Sequence, residues 1–232
     1  MKSRNQENGN ASSLIHTMSE QAFIPALRYH WLTSAYDKLL NLTMPEKQFK
    51  NDLLDEAHIN VSDKVLDFGI GTATLSLMAY DKQPQATYVG IDVDENILKI
   101  AEKKIKAANA YIILEKYNGL SLPFPDNHFN RVISCLVFHH ISTEGKRIAL
   151  LELKRVLKPG GKLIIADFGK PQTNYAKIAS ILFRWFDGVE NTRVNEQGLL
   201  PAFIQEAGFK AVNKVRNYNT VFGTMHLLST LK

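Results

Sequence analysis

The chain has 232 residues, 45% of them hydrophobic and 22% charged, with a net charge of +5 and a single cysteine. This is the balance of a globular chain of one-domain size, and it excludes an internal disulfide framework and a multi-cysteine metal site. No apolar run approaches the roughly 18 residues that a membrane-spanning helix needs.

The first 20 residues are polar and lack the apolar core of a secretory signal, so they read as a disordered tail of a cytoplasmic protein. Residues 21–232 read as one domain. Its opening part, residues 21–60, is helical in pattern from about Ala22 to His58, with Pro45 suited to the first turn of a helix. Then short β-branched runs begin to alternate with longer helical segments. KVLDF, ATYVGID, AYIILEKYN, FNRVISCLVF and KLIIADF read as strands, and Thr72–Asp81, Glu95–Ala108 and Thr143–Leu157 as helices. Within Glu95–Ala108 the residues Ile97, Ile100, Ala101, Ile105 and Ala108 recur at helical spacing. This alternation predicts a parallel sheet covered on both faces. Cys135 falls inside the fourth strand and reads as buried.

The basic excess does not form a nucleic-acid footprint. Lys103, Lys104 and Lys106 cluster beside Glu102 on one exposed helix face, and no aromatic-rich basic motif offers a stacking platform. The end of the chain breaks the strand–helix rhythm. After a helix near Gly198–Ala207, strands over Lys210–Arg216 and Thr220–Leu231 are joined by too short a segment for a parallel crossover, which predicts an antiparallel hairpin.

Four stretches carry chemistry. VLDFGIGTATL places Asp67, Gly69 and Gly71 after the first strand, where the ligand of an open parallel sheet binds. A dinucleotide fingerprint needs a third glycine at position 74, which is Thr74, and the lysine–hydroxyl pair of a phosphate loop is also missing. Asp92 ends the second strand, 21 residues after Gly71, and a carboxylate there can accept both hydrogens of a ribose diol. The third stretch is NGLSLPFPDNHFNRVISCLVFHH. The fourth is LKRVLKPGGKLIIADF, whose Pro159-Gly160-Gly161 turns into the fifth strand.

In this order and spacing, from roughly Tyr36 to Leu231, the four stretches resemble class I S-adenosylmethionine-dependent methyltransferases of the small-molecule group called type 11. The resemblance implies a three-layer Rossmann-like α/β fold with a seven-stranded, mostly parallel sheet whose last strand is antiparallel. It implies S-adenosylmethionine as cofactor: Asp67, Gly69, Gly71 and Thr72 at the methionine half, Asp92 on the ribose, and Val93 against adenine. Gly119 and Leu136 complete this set, and Tyr36 belongs to a segment that folds over the cofactor in similar enzymes. Asn118 stands where the family usually has an aspartate that accepts from the adenine amino group, a bond an asparagine oxygen can also accept. Ala73 replaces a common glycine, a change that the first turn of a helix tolerates.

For the acceptor, His139 and His140 past the fourth strand are candidates for a general base, since histidine titrates near neutral pH. Trp31, Asp167, Phe168 and Trp185 are candidates for substrate contact. The insertion at residues 174–193 resembles a roof over the substrate pocket. Tyr175, Ile178, Leu182, Trp185 and Phe186 form one apolar helical stripe there, and Ile181 and Phe183 widen it, which points to a small apolar or aromatic acceptor. The Asn-Pro-Pro-Tyr motif of many nucleic-acid methyltransferases is replaced by Ser134-Cys135-Leu136-Val137. The pattern is similar to ubiquinone and menaquinone biosynthesis C-methyltransferases. Two other readings remain at this point: a non-catalytic protein that binds the cofactor without turnover, and an RNA or protein methyltransferase, which would bind a polymer with strong salt dependence.

Overall fold

The computed structural model describes residues 46–173, 175–177, 194–220 and 223–232. The tail, Trp31 and Tyr36, and Trp185 with most of the expected roof lie outside the described residues.

Helix α1 (Glu46–Ala57) precedes β1 (Lys64–Phe68), α2 (Thr74–Lys82), β2 (Thr87–Asp92), α3 (Glu95–Ala107) and β3 (Ile112–Lys116). Strand β4 (Phe129–Cys135) leads through a 3-10 turn at Phe138–His140 to α4 (Thr143–Val156) and β5 (Leu157–Phe168). Helix α5 (Leu200–Glu206), β6 (Lys210–Thr220) and β7 (Gly223–Leu231) follow.

The seven strands lie in the order β3-β2-β1-β4-β5-β7-β6. Strands β1 to β5 pair in parallel, and β7 runs antiparallel to both β5 and β6. The predicted sheet and terminal hairpin are therefore both present. Because β1 pairs with β2 on one side and β4 on the other, a crevice opens at their carboxyl ends.

Alternate residues of each strand feed two cores. Val65 packs in the core that α1, α2 and α3 cover with Phe49, Leu53, Leu75 and Ile105. Leu66 and Phe68 face the other core, with Leu150 and Leu153 of α4 and Phe203 of α5. This double coverage is why the central strands are apolar nearly throughout.

Three local expectations change. In α3 the buried stripe is Ala101 and Ile105 with Leu98 half-buried, whereas Ile100 and Ala108 are exposed. The face is the one at i, i+3 and i+7 from Leu98. Helix α2 starts at Thr74 because Ala73, its N-cap, is left-handed at φ 64° and ψ 16°, outside the first helical turn. Finally, β5 begins at Leu157. Leu157 pairs with Phe129 and Lys162 with Arg131, so the Pro-Gly-Gly stretch is a bulge within the strand instead of a turn before it.

Candidate active site

A cavity of about 970 Å³ lies over the carboxyl ends of β1 to β4, where the fold rule places a ligand. The loop after β1 makes its floor. The amides of Gly69 and Ile70 both donate to the Ile91 carbonyl (3.0 and 2.9 Å), pinning the loop across to β2. Gly69 is left-handed at φ 74°, and a Cβ there would stand 2.4 Å from Val137 Cγ2. Gly71, at φ 55°, has nothing within 4 Å of such an atom, so its backbone is bare toward open space.

The Gly71 amide donates to Asp92 Oδ2 and the Asp94 amide to Asp92 Oδ1, each at 3.0 Å. The carboxylate is thus held in one orientation at the cavity wall, with lone pairs left on both oxygens. Burial raises its pKa, against the opposing pull of these amides. Asp67 lies deeper. It accepts from Ser76 Oγ at 2.6 Å, and burial pushes it up to about 7 although Ser76 and Lys50 pull the other way. Lys50 of α1, nearly buried and ion-paired with Glu46, lines the same end of the cavity. Sequence reading missed this residue; its only signal was a lysine on the otherwise apolar face of a helix.

The connector after β4 makes another wall. Leu136 is left-handed at φ 58°, and its amide is anchored on the Ala166 carbonyl (2.8 Å). Asp167 Oδ2 accepts from the amides of Val137 (3.0 Å) and Phe138 (2.7 Å). Its Oδ1 accepts from His139 Nδ1 (2.8 Å), the Phe168 amide (2.7 Å) and Asn195 Nδ2 (3.3 Å). Burial raises the Asp167 carboxyl, but His139, the Phe168 amide and His140 outweigh it and leave the pKa lowered. From α4, the fully buried Lys146 donates to the Ile141 carbonyl at 2.6 Å, clamping the far end of the connector. Burial lowers this lysine to about 8, opposed by Asp167.

These contacts divide the histidine pair. His140 lines the cavity, while His139 is buried behind it on Asp167, their rings 3.9 Å apart. Asp167 is not among the residues that line this cavity: its oxygens hold the connector from behind. Phe168 also stands off the cavity, edge-on to the His139 ring at 5.1 Å. Cys135, expected to be buried, ends β4 partly buried at the cavity, with its thiol pushed up to about 12 by burial.

At the β3 end, Val93, Asn118 and Gly119 border the cavity. Asn118 Oδ1 accepts from the amides of Leu120 (2.8 Å) and Ser121 (2.9 Å). The oxygen expected to meet an adenine amino group is therefore engaged in an Asx turn. Beside it, Tyr117 borders the cavity with a buried hydroxyl that has no hydrogen-bond partner among the described residues.

Of the expected cofactor residues, Asp67, Gly69, Gly71, Thr72, Asp92, Val93, Asn118, Gly119 and Leu136 all line this one cavity. No group of three or more metal-ligating side chains occurs among the described residues, and no described helix is long and apolar enough to cross a membrane.

Comparison with known proteins points to methyltransferases. Residues 65–161 match a family described as "Methyltransferase domain". The chain is 27% identical over 207 residues to the demethylmenaquinone methyltransferase of Symbiobacterium thermophilum, covering 84% of this chain and 77% of that protein. It is 28% identical over 209 residues to the ubiquinone/menaquinone biosynthesis C-methyltransferase of Shewanella pealeana, covering 80% and 82%. The crystal structure of a SAM-dependent methyltransferase from Aquifex aeolicus superposes with a TM-score of 0.61 at 21% identity, over 95% of this chain and 98% of that one, and so shares the fold.

Proposed function

The chain is a class I S-adenosylmethionine-dependent methyltransferase, and we propose that it methylates a small apolar or aromatic acceptor, of the quinone-precursor kind that its relatives' names indicate. The observation that carries the cofactor half is the Asp92 carboxylate, fixed by the Gly71 and Asp94 amides beside a bare glycine backbone. That arrangement fits a ribose diol with the rest of an adenosine-type ligand lying across the loop. Asp67, Gly69, Gly71 and Thr72 would hold the methionine end, and Lys50 offers a cation to its carboxylate. Val93, Asn118, Gly119 and Leu136 would bound the base. Tyr36, outside the described residues, is proposed to cover the cofactor, and Trp31 and Trp185 to meet the acceptor.

When bound, the cofactor supplies an activated sulfonium methyl. The protein's own task is alignment, because a nucleophile held in line gains roughly 7–11 kcal/mol over a free encounter. Apolar Leu136, Val137, Ile141 and Ala149 line the cavity around His140, which favours an apolar acceptor. The His140 imidazole is placed to take the proton that a hydroxyl or carbon acceptor loses. His139 and Asp167 act behind it as positioning residues.

The test is transfer of labelled methyl from the cofactor into a metabolite extract, followed by organic–aqueous partition. Label in the organic phase, with a product mass matching a methylated quinone precursor, is the expected result. Label confined to polar metabolites overturns the acceptor class. Cofactor binding with no transfer to any acceptor favours a non-catalytic binding protein, and salt-sensitive label in polymer favours an RNA or protein methyltransferase.

A further inference from the structure

The sheet has two edges, and they are finished differently. Strand β6 shifts register twice against β7 and carries Lys210, Lys214 and Arg216, devices that keep an edge from pairing with other chains. Strand β3 lacks both the shifts and the run of basic residues. Among the described residues its one sheet neighbour is β2, which it matches without a break from Ile112 to Lys116. It contains no proline, and its charges are confined to Glu115 and Lys116. Ile112 and Leu114 belong to the core that α3 covers, so Tyr111 and Ile113 share the opposite face. There Tyr111 is 73% exposed and Ile113 38%.

The helix beside this edge carries a matching pattern of charge. Glu95 of α3 reaches Lys116 of β3 at 3.4 Å, while Lys104 reaches Thr72 Oγ1 at 3.0 Å on the α2 side. One flank of α3 therefore looks outward past β3. Glu95, Lys99, Glu102 and Lys106 follow one another along that flank at i, i+4, i+7 and i+11, all exposed. Laid antiparallel to a copy of itself, this row sets Glu95 against Lys106 and Lys99 against Glu102.

We propose that the β3 edge and the outer flank of α3 bind a second copy of this chain about a two-fold axis perpendicular to the sheet. Such an axis makes the two β3 strands antiparallel, carries one sheet through both copies and keeps both α3 helices on the same face. Because α3 lies over β2 and β3, its copy stands two strand spacings away, roughly 9–10 Å. That is the separation of packed helices. On the other face, Tyr111 and Ile113 of the two copies come together. The opposed charges set the register more than the affinity. The two cavities open at opposite edges of the shared sheet, so neither copy obstructs the other.

Sedimentation velocity of the full chain over a concentration series tests this. The expected species has twice the 26.2 kDa mass of the chain. Ile113→Lys charges the bare edge and is expected to weaken the dimer roughly tenfold or more. Lys99→Glu with Lys106→Glu makes the flank of α3 wholly acidic, and Glu95→Lys with Glu102→Lys makes it wholly basic. Each double variant alone is expected to be a monomer where the wild type is paired, and their equimolar mixture to recover the doubled mass. Thermal melting checks that every variant folds. A wild type that stays monomeric throughout the series overturns the proposal, as does a dimer that neither Ile113→Lys nor the charge reversals weaken. A mixture of the two double variants that stays monomeric overturns the antiparallel register.

Discussion

Two loops leave the carboxyl edges of neighbouring strands and meet at Gly69 and Val137, yet they are shaped by opposite means. The loop after β1 takes its course from missing side chains: Gly69 and Gly71 are both left-handed, and a β-carbon on Gly69 would collide with Val137. The connector after β4 contains no glycine from Leu136 to Ile141. It takes its course from buried charge, with Asp167 gripping its amides from one side and Lys146 its last carbonyl from the other. The first device leaves backbone bare for a ligand. The second holds a left-handed Leu136, a conformation costing roughly 1–2 kcal/mol in an L-residue, so that His140 stands at the cavity.

The contrast can be broken most forcefully at Asp167. Asp167→Ala leaves three amides, a histidine and a buried lysine without their anion, and should lower the unfolding free energy by roughly 3–5 kcal/mol in urea melts. An unchanged midpoint would mean that the connector keeps its shape unaided. On the glycine side, Gly69→Val should cost roughly 1–3 kcal/mol of stability by overpacking and at least ~10-fold in cofactor affinity. Asp92→Ala should lose a similar ~10-fold, about 1.4 kcal/mol, with a much smaller change in melting temperature. Unaltered calorimetric affinity in both variants removes the cofactor assignment of this loop.

A pH experiment sharpens the picture at Asp67. Its folded pKa of about 7 lies above the ordinary carboxyl value, so folding takes up a proton between the two, and the free protein loses stability as pH rises through that window. A cationic amino group bound nearby lowers the Asp67 pKa. Cofactor binding should therefore release a proton below about pH 7, with affinity climbing toward that pH and levelling above it. Titrations in buffers of different ionisation enthalpy read the proton directly; no buffer dependence near pH 6.5 means that the cofactor's amino group does not sense Asp67. The smallest effect is expected at Ala73→Gly, which relieves a left-handed alanine and should add about 0.5–1 kcal/mol in thermal melts. A lower melting temperature would mean that the buried methyl contributes more than the strain costs.

The same contrast explains what the sequence revealed. Glycine spacing, the terminal aspartate of β2 and the strand–helix alternation are local signals, so the parallel sheet, its hairpin and the floor of the cavity were legible. Roles set by partners distant in the chain were not. Asp167 ends a strand on the ligand side, as a substrate residue would, and only its bonds to residues 28 to 30 positions away turn it inward. Lys50 became visible only when α1 laid it beside Asp67. The left-handed backbone of Ala73 showed only in its standing at a common glycine position, a sign that alanine, the best helix former, masks.

Strand β7 has a consequence for the order in which the molecule can be made. It is buried along almost its whole length and lies between β5 and β6. Once β1 is made, strands β2 to β5 can each find a partner among segments already synthesised, as chains generally fold from the first part to emerge. Strand β6 cannot, for its one sheet neighbour among the described residues, β7, is made after it. While it waits, its unpaired backbone is exposed to any other nascent chain, and Lys210, Lys214 and Arg216 along it supply the charge that discourages such pairing. The basic residues of this strand thus serve the growing chain before they serve the finished protein.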